Sequence, residues 1–209
     1  QGAHGTMRIY SIYFSPTQGT KKITNTLAQE IGAYQEIDLC EYTDQIPERI
    51  FSENDICLIG VPSYGGRVPR TAAERINGFK GNGASAILVV SYGNRDYDDT
   101  LIELYDVVTS QGFACIGGVA AIAEHSIMHQ FASGRPDTDD MHQLKRFAKE
   151  IKEKIDASIL TEVQVKGNRP YKELKEVPFH PTASNLCTMC GLCAKLCPVH
   201  AIPFDTPNQ

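Results

Sequence analysis

The chain has 209 residues, 42% of them hydrophobic and 22% charged, with a net charge of −5 at pH 7. That supplies core material for one medium domain with an appendage or for two small domains, and a mildly acidic surface argues against nucleic acid or an anionic membrane as partner. No run reaches the roughly 18 apolar residues of a membrane span and no secretory leader is visible, so a cytoplasmic location is expected. Residues 1–6, QGAHGT, read as an expression scar ahead of Met7.

From Met7 to about Leu160, short apolar runs alternate with helical stripes. RIYSIYF (8–14) is rich in β-formers and is followed by SPTQGTKK and a stripe of Ile23, Leu27 and Ile31. YQEIDL (34–39) predicts a second strand, and DICLIGV (55–61) has the continuous apolar character of a strand buried on both faces. Pro69 suits the first turn of a helix carrying Ala72, Ala73, Ile76 and Phe79. SAILVVS (85–91) predicts a fourth strand. A helix bearing Leu101, Leu104, Tyr105 and Val108 then stops at Gly112, and FACIGGVAAI (113–122) gives a fifth strand. Asp139 and Asp140 open a long helix with Met141, Leu144, Phe147, Ala148, Ile151 and Ile155 inward. Five such β–α units predict an α/β domain over 7–160, a parallel sheet with helices on both faces. Residues 161–184 carry prolines and charges without a period and read as an extended linker packed along that domain; 185–209 form a separate cysteine-bearing segment.

Open α/β sheets bind ligands beyond the carboxyl ends of their strands. Three loops at that end are unusual. Ser15-Pro16-Thr17-Gln18-Gly19-Thr20-Lys21 puts hydroxyls and a glycine at a helix start, a place that favours an anion. It lacks both the Walker ending and the three-glycine dinucleotide fingerprint, so a phosphate monoester fits best; the same residues also suit a capped turn that binds nothing. PSYGGRVP (62–69) and SYGNRDYDD (91–99) combine glycines, which admit close backbone approach, with tyrosines that can lie against a planar ligand.

Seven cysteines are split between three scattered ones (Cys40, Cys57, Cys115) and a bunched set, Cys187, Cys190, Cys193 and Cys197, with Pro198 after the last. The pattern suits a reducing compartment and a metal rather than a disulfide framework. The spacing C-x2-C-x2-C-x3-C-P is the run of bacterial ferredoxins, which points to a 4Fe-4S cluster; a structural zinc is the alternative, although zinc sites usually separate two knuckles by a longer spacer. In two-cluster ferredoxins the fourth cysteine of such a run ligates the other cluster. The single run here leaves two readings, a lone cluster closed by Cys197 or a truncated two-cluster module, and truncation is the one favoured. A second cluster is then expected only in a longer native chain.

Residues 7 to about 160 resemble the flavodoxin family. The resemblance implies a doubly wound, five-stranded parallel sheet of order 2-1-3-4-5 that binds FMN. On this sequence it implies that Ser15, Thr17, Gln18, Gly19 and Thr20 hold the FMN phosphate. Pro62, Ser63, Tyr64, Gly65 and Gly66 would line one side of the isoalloxazine, and Tyr92, Gly93, Asn94 and Tyr97 the other. Pro16 and Gln18-Gly19 depart from the family's usual T-x-T-G-x-T. A phosphoacceptor receiver, which shares the fold, would need an aspartate ending the third strand, where Val61-Pro62-Ser63 stands instead. With the cysteine segment added, Pro62–Pro69, Tyr92–Leu104 and Ala123–Asp137 resemble the EFR1-type flavodoxin–ferredoxin fusion proteins of anaerobic bacteria and archaea.

The expected function is electron transfer between FMN and iron–sulfur, with redox proteins (ferredoxin-like or reductase) or a second copy of the chain as partners. An FMN-dependent reductase of quinones or small acceptors, and a binding module with structural zinc, are the alternatives. No catalytic acid, base or nucleophile stands out. His125 and His129 are read mainly as solvated or backbone-satisfying, Arg67 and Arg95 as surface residues, and the scattered cysteines as core fillers.

Overall fold

The structure, a computed structural model, describes residues 6–42, 45–175 and 181–207. The elements in chain order are β1 (Ile9–Tyr13), α1 (Gly19–Ile31), β2 (Tyr34–Asp38), β3 (Arg49–Ile50), β4 (Ile56–Pro62), α2 (Arg70–Ile76), β5 (Phe79–Lys80), β6 (Ser85–Tyr92), α3 (Thr100–Ser110), β7 (Ala114–Ile122), α4 (Thr138–Asp156) and α5 (Leu192–Leu196). Five strands form one parallel sheet in the order β2-β1-β4-β6-β7, which is 2-1-3-4-5 when only its own strands are counted. Ile12 pairs with Ile37 on one side and Ile59 on the other, and Ile59 with Leu88 in turn.

Burial explains why β4 and β6 hold the centre. Every residue of each but the last is buried, as a parallel strand covered on both faces requires. One face packs against α2 and α3 through Ala72, Ile76, Leu101, Leu104 and Val108. The other packs against α1 and α4 through Ile23, Leu27, Leu144 and Ala148. Each isoleucine, leucine or valine among them contributes about 1.5–3 kcal/mol of burial. Helix α4 starts at Thr138, one residue before the predicted pair of aspartates. Asp137 is its cap, accepting the N–H groups of Asp139 and Asp140 at 3.0 Å, while Asp140 reaches back to the Asp137 N–H at 2.9 Å.

Phe79, predicted on the helical stripe, lies elsewhere. Helix α2 ends at Ile76, and Phe79 pairs Arg49 in a two-stranded sheet, β3-β5, that the sequence pattern did not reveal. There it joins Phe51, at 5.4 Å and edge-on, in an aromatic cluster that also takes Phe113 and Tyr10. Burying three phenyl rings outweighs one more turn of helix.

After α4 the chain returns along the outer edge of β7 and over α3. The Val163 N–H donates to Cys115 O at 3.0 Å. Gly167 then lies so close to Ile102 that a Cβ there would stand 2.2 Å from its Cγ2, and its φ of +145° lies where only glycine is comfortable. Residues 163–172 thus act as a strap, tied down by buried Asp99, which accepts the N–H groups of Asn168 (2.8 Å) and Lys172 (2.7 Å). Asp106 takes Arg169 and the Tyr171 hydroxyl. Among the described residues, no helix is long and apolar enough to cross a membrane.

Candidate functional site

The three loops predicted to hold a ligand do meet at the carboxyl rim of the sheet. Ser15, Thr17, Gly19, Thr20, Pro62, Ser63, Tyr64, Tyr92 and Gly93 line one pocket, joined by Ser91, Ala123, Glu124 and Ser126. Gln18 lines a neighbouring depression of about 280 Å³ with His125 and Arg135. Gly65, Gly66, Asn94 and Tyr97 do not line the shared pocket.

The phosphate-type loop is braced from below. Gln18 takes a left-handed φ of +69° immediately before α1. The N–H groups of Gly19 and Thr20 stand at the helix start, where no carbonyl of the helix can accept them. The Ser15 hydroxyl accepts the Lys21 N–H at 2.9 Å, which leaves its own proton to donate. Thr20 and Ser91 hydroxyls share one hydrogen bond at 2.7 Å, so one proton of that pair is also spare. Glu124 is the one charged side chain in the lining. Its carboxylate is engaged by the Gly134 N–H (2.7 Å) and by His129 (2.8 Å), which hold it below the usual glutamate range. An anion here would be bound by neutral donors and the helix dipole.

The pocket measures about 50 Å³. That is far below the roughly 300–1,000 Å³ of sites that enclose small molecules, and it suits a phosphate-sized group. A three-ring flavin would lie outside it on the rim, where Tyr64 is 41% exposed. The donor set therefore fits a phosphate-sized anion.

The glycines outside the pocket have a different task. Tyr64 and Arg67 exchange both backbone hydrogen bonds, at 3.0 and 3.1 Å, around Gly65 and Gly66 with φ of +61° and +86°. A two-residue hairpin turn of this hand needs positive φ at both central positions. Gly66 also lies on the Asp98 carboxylate, where a Cβ would come within 2.3 Å of Oδ2, and its carbonyl accepts the Asp99 N–H at 3.1 Å. Tyr97 turns toward the core and packs edge-on to Tyr92 at 5.3 Å.

The two loops are locked together. Ser63 shares a hydrogen bond with Thr100 at 2.7 Å and its N–H donates to Ser91 O. Arg67 is not a surface residue: its guanidinium grips Glu103 at 2.7 and 2.9 Å, donates to Lys172 O, and sits 4.9 Å from the Tyr171 ring. Arg95 pairs with Asp98 and stays exposed. His125 covers Gly93, and its Nδ1 accepts the N–H groups of Ile127 and Met128 at 3.2 and 3.1 Å. Cys57 and Cys115 are buried, whereas Cys40 is half-buried and its sulfur accepts the Ser15 N–H at 3.2 Å.

Ser91 and Ser126 were not singled out in the sequence. A serine closing an otherwise apolar strand was the available signal for Ser91. Ser126 comes from the loop after β7, which the parallel sheet brings to the same carboxyl rim.

In the cysteine segment, all four thiols are free: Cys187, Cys190 and Cys193 are exposed and Cys197 half-exposed. Backbone N–H groups already approach sulfur. The Ala201 N–H donates to Cys197 Sγ at 3.2 Å, and the Leu192 N–H, with the Thr188 hydroxyl, pulls the Cys190 thiol below its ordinary pKa. Four soft sulfur donors suit an iron–sulfur centre by their chemistry. Among the described residues, no three His, Cys, Asp or Glu side chains are drawn together as a metal site.

A family model described as "4Fe-4S binding domain" matches residues 184–202. No curated protein sequence matches the chain significantly. Among solved structures, the apo form of an NADH:FMN oxidoreductase aligns with a TM-score of 0.54 at 14% identity, over 71% of this chain and 89% of its own. A flavodoxin from the domain Archaea and one from Streptococcus pneumonia TIGR4 align at TM-scores of 0.45 and 0.47. Their identities are 15% and 16%, over 72% and 71% of this chain and 99% of each. The sheet order and the alignment with the NADH:FMN oxidoreductase establish a flavodoxin-like α/β fold, and residues 184–202 match a 4Fe-4S binding domain.

Proposed function

We propose that this chain is an electron-transfer flavoprotein that binds FMN at the sheet rim and iron–sulfur at Cys187, Cys190, Cys193 and Cys197. The observation that carries the reading is the meeting of the three sequence-predicted loops around one phosphate-sized pocket, in a chain whose tail matches a 4Fe-4S binding domain. FMN, once bound, exchanges one or two electrons, whereas an iron–sulfur centre passes them singly. The protein's own part is to hold the phosphate through the Gly19 and Thr20 N–H groups and the Ser15 and Thr17 hydroxyls. Pro62, Ser63, Tyr64, Tyr92 and Gly93 position the ring; Gly65 and Gly66 shape the first flanking loop, and Asn94 and Tyr97 the second. The division is a flavin domain at 7–160, a tether at 161–184 and a module at 185–209, the arrangement of the EFR1-type fusions. Free thiols suit a reducing compartment such as the cytoplasm. Redox proteins, ferredoxin-like or reductase, would be its partners, with a homodimer as a further arrangement.

The test is anaerobic purification followed by a visible spectrum, metal and sulfide analysis, and FMN titration. Stoichiometric FMN with iron and sulfide supports the proposal. At an FMN concentration of about 100 times Kd, binding should add about 2.7 kcal/mol of stability. A rim indifferent to FMN overturns it. Zinc without iron or sulfide makes the tail a structural zinc module, and brisk NADH–quinone turnover without a protein donor makes the chain an FMN-dependent reductase.

A further inference from the structure

The cysteine segment does not hang free of the α/β domain. Its turn at Cys197–His200 rests on the corner where β2 ends. Arg75, near the end of α2, donates through one guanidinium nitrogen to Leu39 O and through another to Pro198 O. The Tyr42 and His200 rings stack with centroids 3.7 Å apart and planes 15° from parallel. The His200 N–H closes the turn on Cys197 O at 3.2 Å.

The same corner supports the proposed phosphate loop. Leu39 is hydrogen-bonded through its N–H to Tyr13 O at 2.8 Å, and the next residue, Cys40, accepts the Ser15 N–H. One short turn, Leu39–Tyr42, therefore touches the phosphate loop on one side and the cysteine segment on the other.

We propose that Tyr42 and Arg75 form an intramolecular seat that fixes the Pro198–His200 turn of the cysteine module against the corner where β2 ends, beside the loop after β1. Two features favour this occupant over an outside partner. An arginine bridging two main-chain carbonyls satisfies groups on both surfaces at once, and a histidine on the module meets a tyrosine on the domain face to face. The consequence, which rests on the flavin and iron–sulfur reading, is that the module delivers or receives electrons at the β2 side. Each exchange moves one electron, oxidising one centre and reducing the other. Arg75 is also a cation one residue removed, through Pro198, from Cys197. Coulomb attraction then stabilises the more negative, reduced state of whatever Cys197 ligates.

The seat can be tested without relying on activity. A photo-crosslinking benzoylphenylalanine replacing Tyr42, in the full chain, should label the 197–202 peptide, read by mass spectrometry. Arg75→Ala and His200→Ala should each raise amide exchange at 199–202 at least tenfold, while in His200→Ala the FMN Kd stays within twofold. His200→Ala leaves the α/β domain untouched, so an effect there is not misfolding. In loaded protein, Arg75→Ala should lower the iron–sulfur midpoint potential and His200→Ala should not. Labelling confined to other peptides, or unchanged exchange in both variants, overturns the seat even when FMN binds. Labelling of 197–202 in a protein that ignores FMN upholds the seat and overturns the functional reading instead.

Discussion

Backbone sign and hydrogen-bond accounting decide most of what single residues do at this rim. Gly66 combines a φ of +86° with contact to the Asp98 carboxylate, so Gly66→Ala pays for both conformation and crowding. A loss of about 1–3 kcal/mol is expected, measured as a shift in urea midpoint at constant m-value, together with weaker FMN binding. Asp99 is buried and accepts main-chain N–H groups from the strap, which hold its carboxyl below the usual aspartate range. A depressed folded pKa contributes stability that is whole above the unfolded value near ~3.9 and disappears as pH falls through the folded one. Asp99→Asn should therefore destabilise at neutral pH, by about 1–3 kcal/mol for the weakened bonds. Its Tm should also vary less than wild type below about pH 4. A parallel pair of Tm–pH curves would contradict this account.

At the level of elements, what the sequence conveyed follows how far each element's cause extends along the chain. β4 and β6 were readable because burial on both faces writes a continuous apolar run into neighbouring residues. β3 and β5 were not, since two residues carry no period. Phe79 fell at i+3 from Ile76 and mimicked a helical stripe, although it belongs to an aromatic cluster assembled from Phe51 and Phe113. The loops of the candidate site were visible as unusual composition, but not their coupling. Asp99 meets Asn168 and Lys172 across about seventy residues of sequence, and Arg67 meets Glu103 across 36. The strap is the part most hidden, because its residues read as a polar linker. Gly167→Ala should loosen it, given a Cβ 2.2 Å from Ile102. Amide exchange is then expected to rise at 97–100 and 64–68 with little change in β4 and β6. Uniform acceleration across the sheet would mean global destabilisation instead.

At the scale of the whole molecule, the α/β domain supplies a pre-shaped rim and the tail matches a 4Fe-4S binding domain. Among the described residues, the strap ties the linker to the domain, and the Leu39–Tyr42 corner meets the cysteine segment. The strap braces the loops after β4 and β6, while the corner braces the loop after β1. The strap lies outside residues 7–160, so a reading of that domain alone would leave it out, whereas the corner belongs to the domain itself.

Burial also divides the chain's seven thiols into reagent classes. Cys57 and Cys115 have no exposure, and desolvation lifts both, Cys115 to about 12; half-buried Cys40 is lifted to about 12 as well. Since the thiolate is the species that reacts, a chromogenic sulfhydryl probe applied to native, demetallated protein should count four fast sites. Guanidinium should reveal the other three, and a fully loaded module should hide the fast ones. A stopped-flow titration of sulfur alone would then report how much of any preparation carries its inorganic centre, with no need for colour from the centre itself.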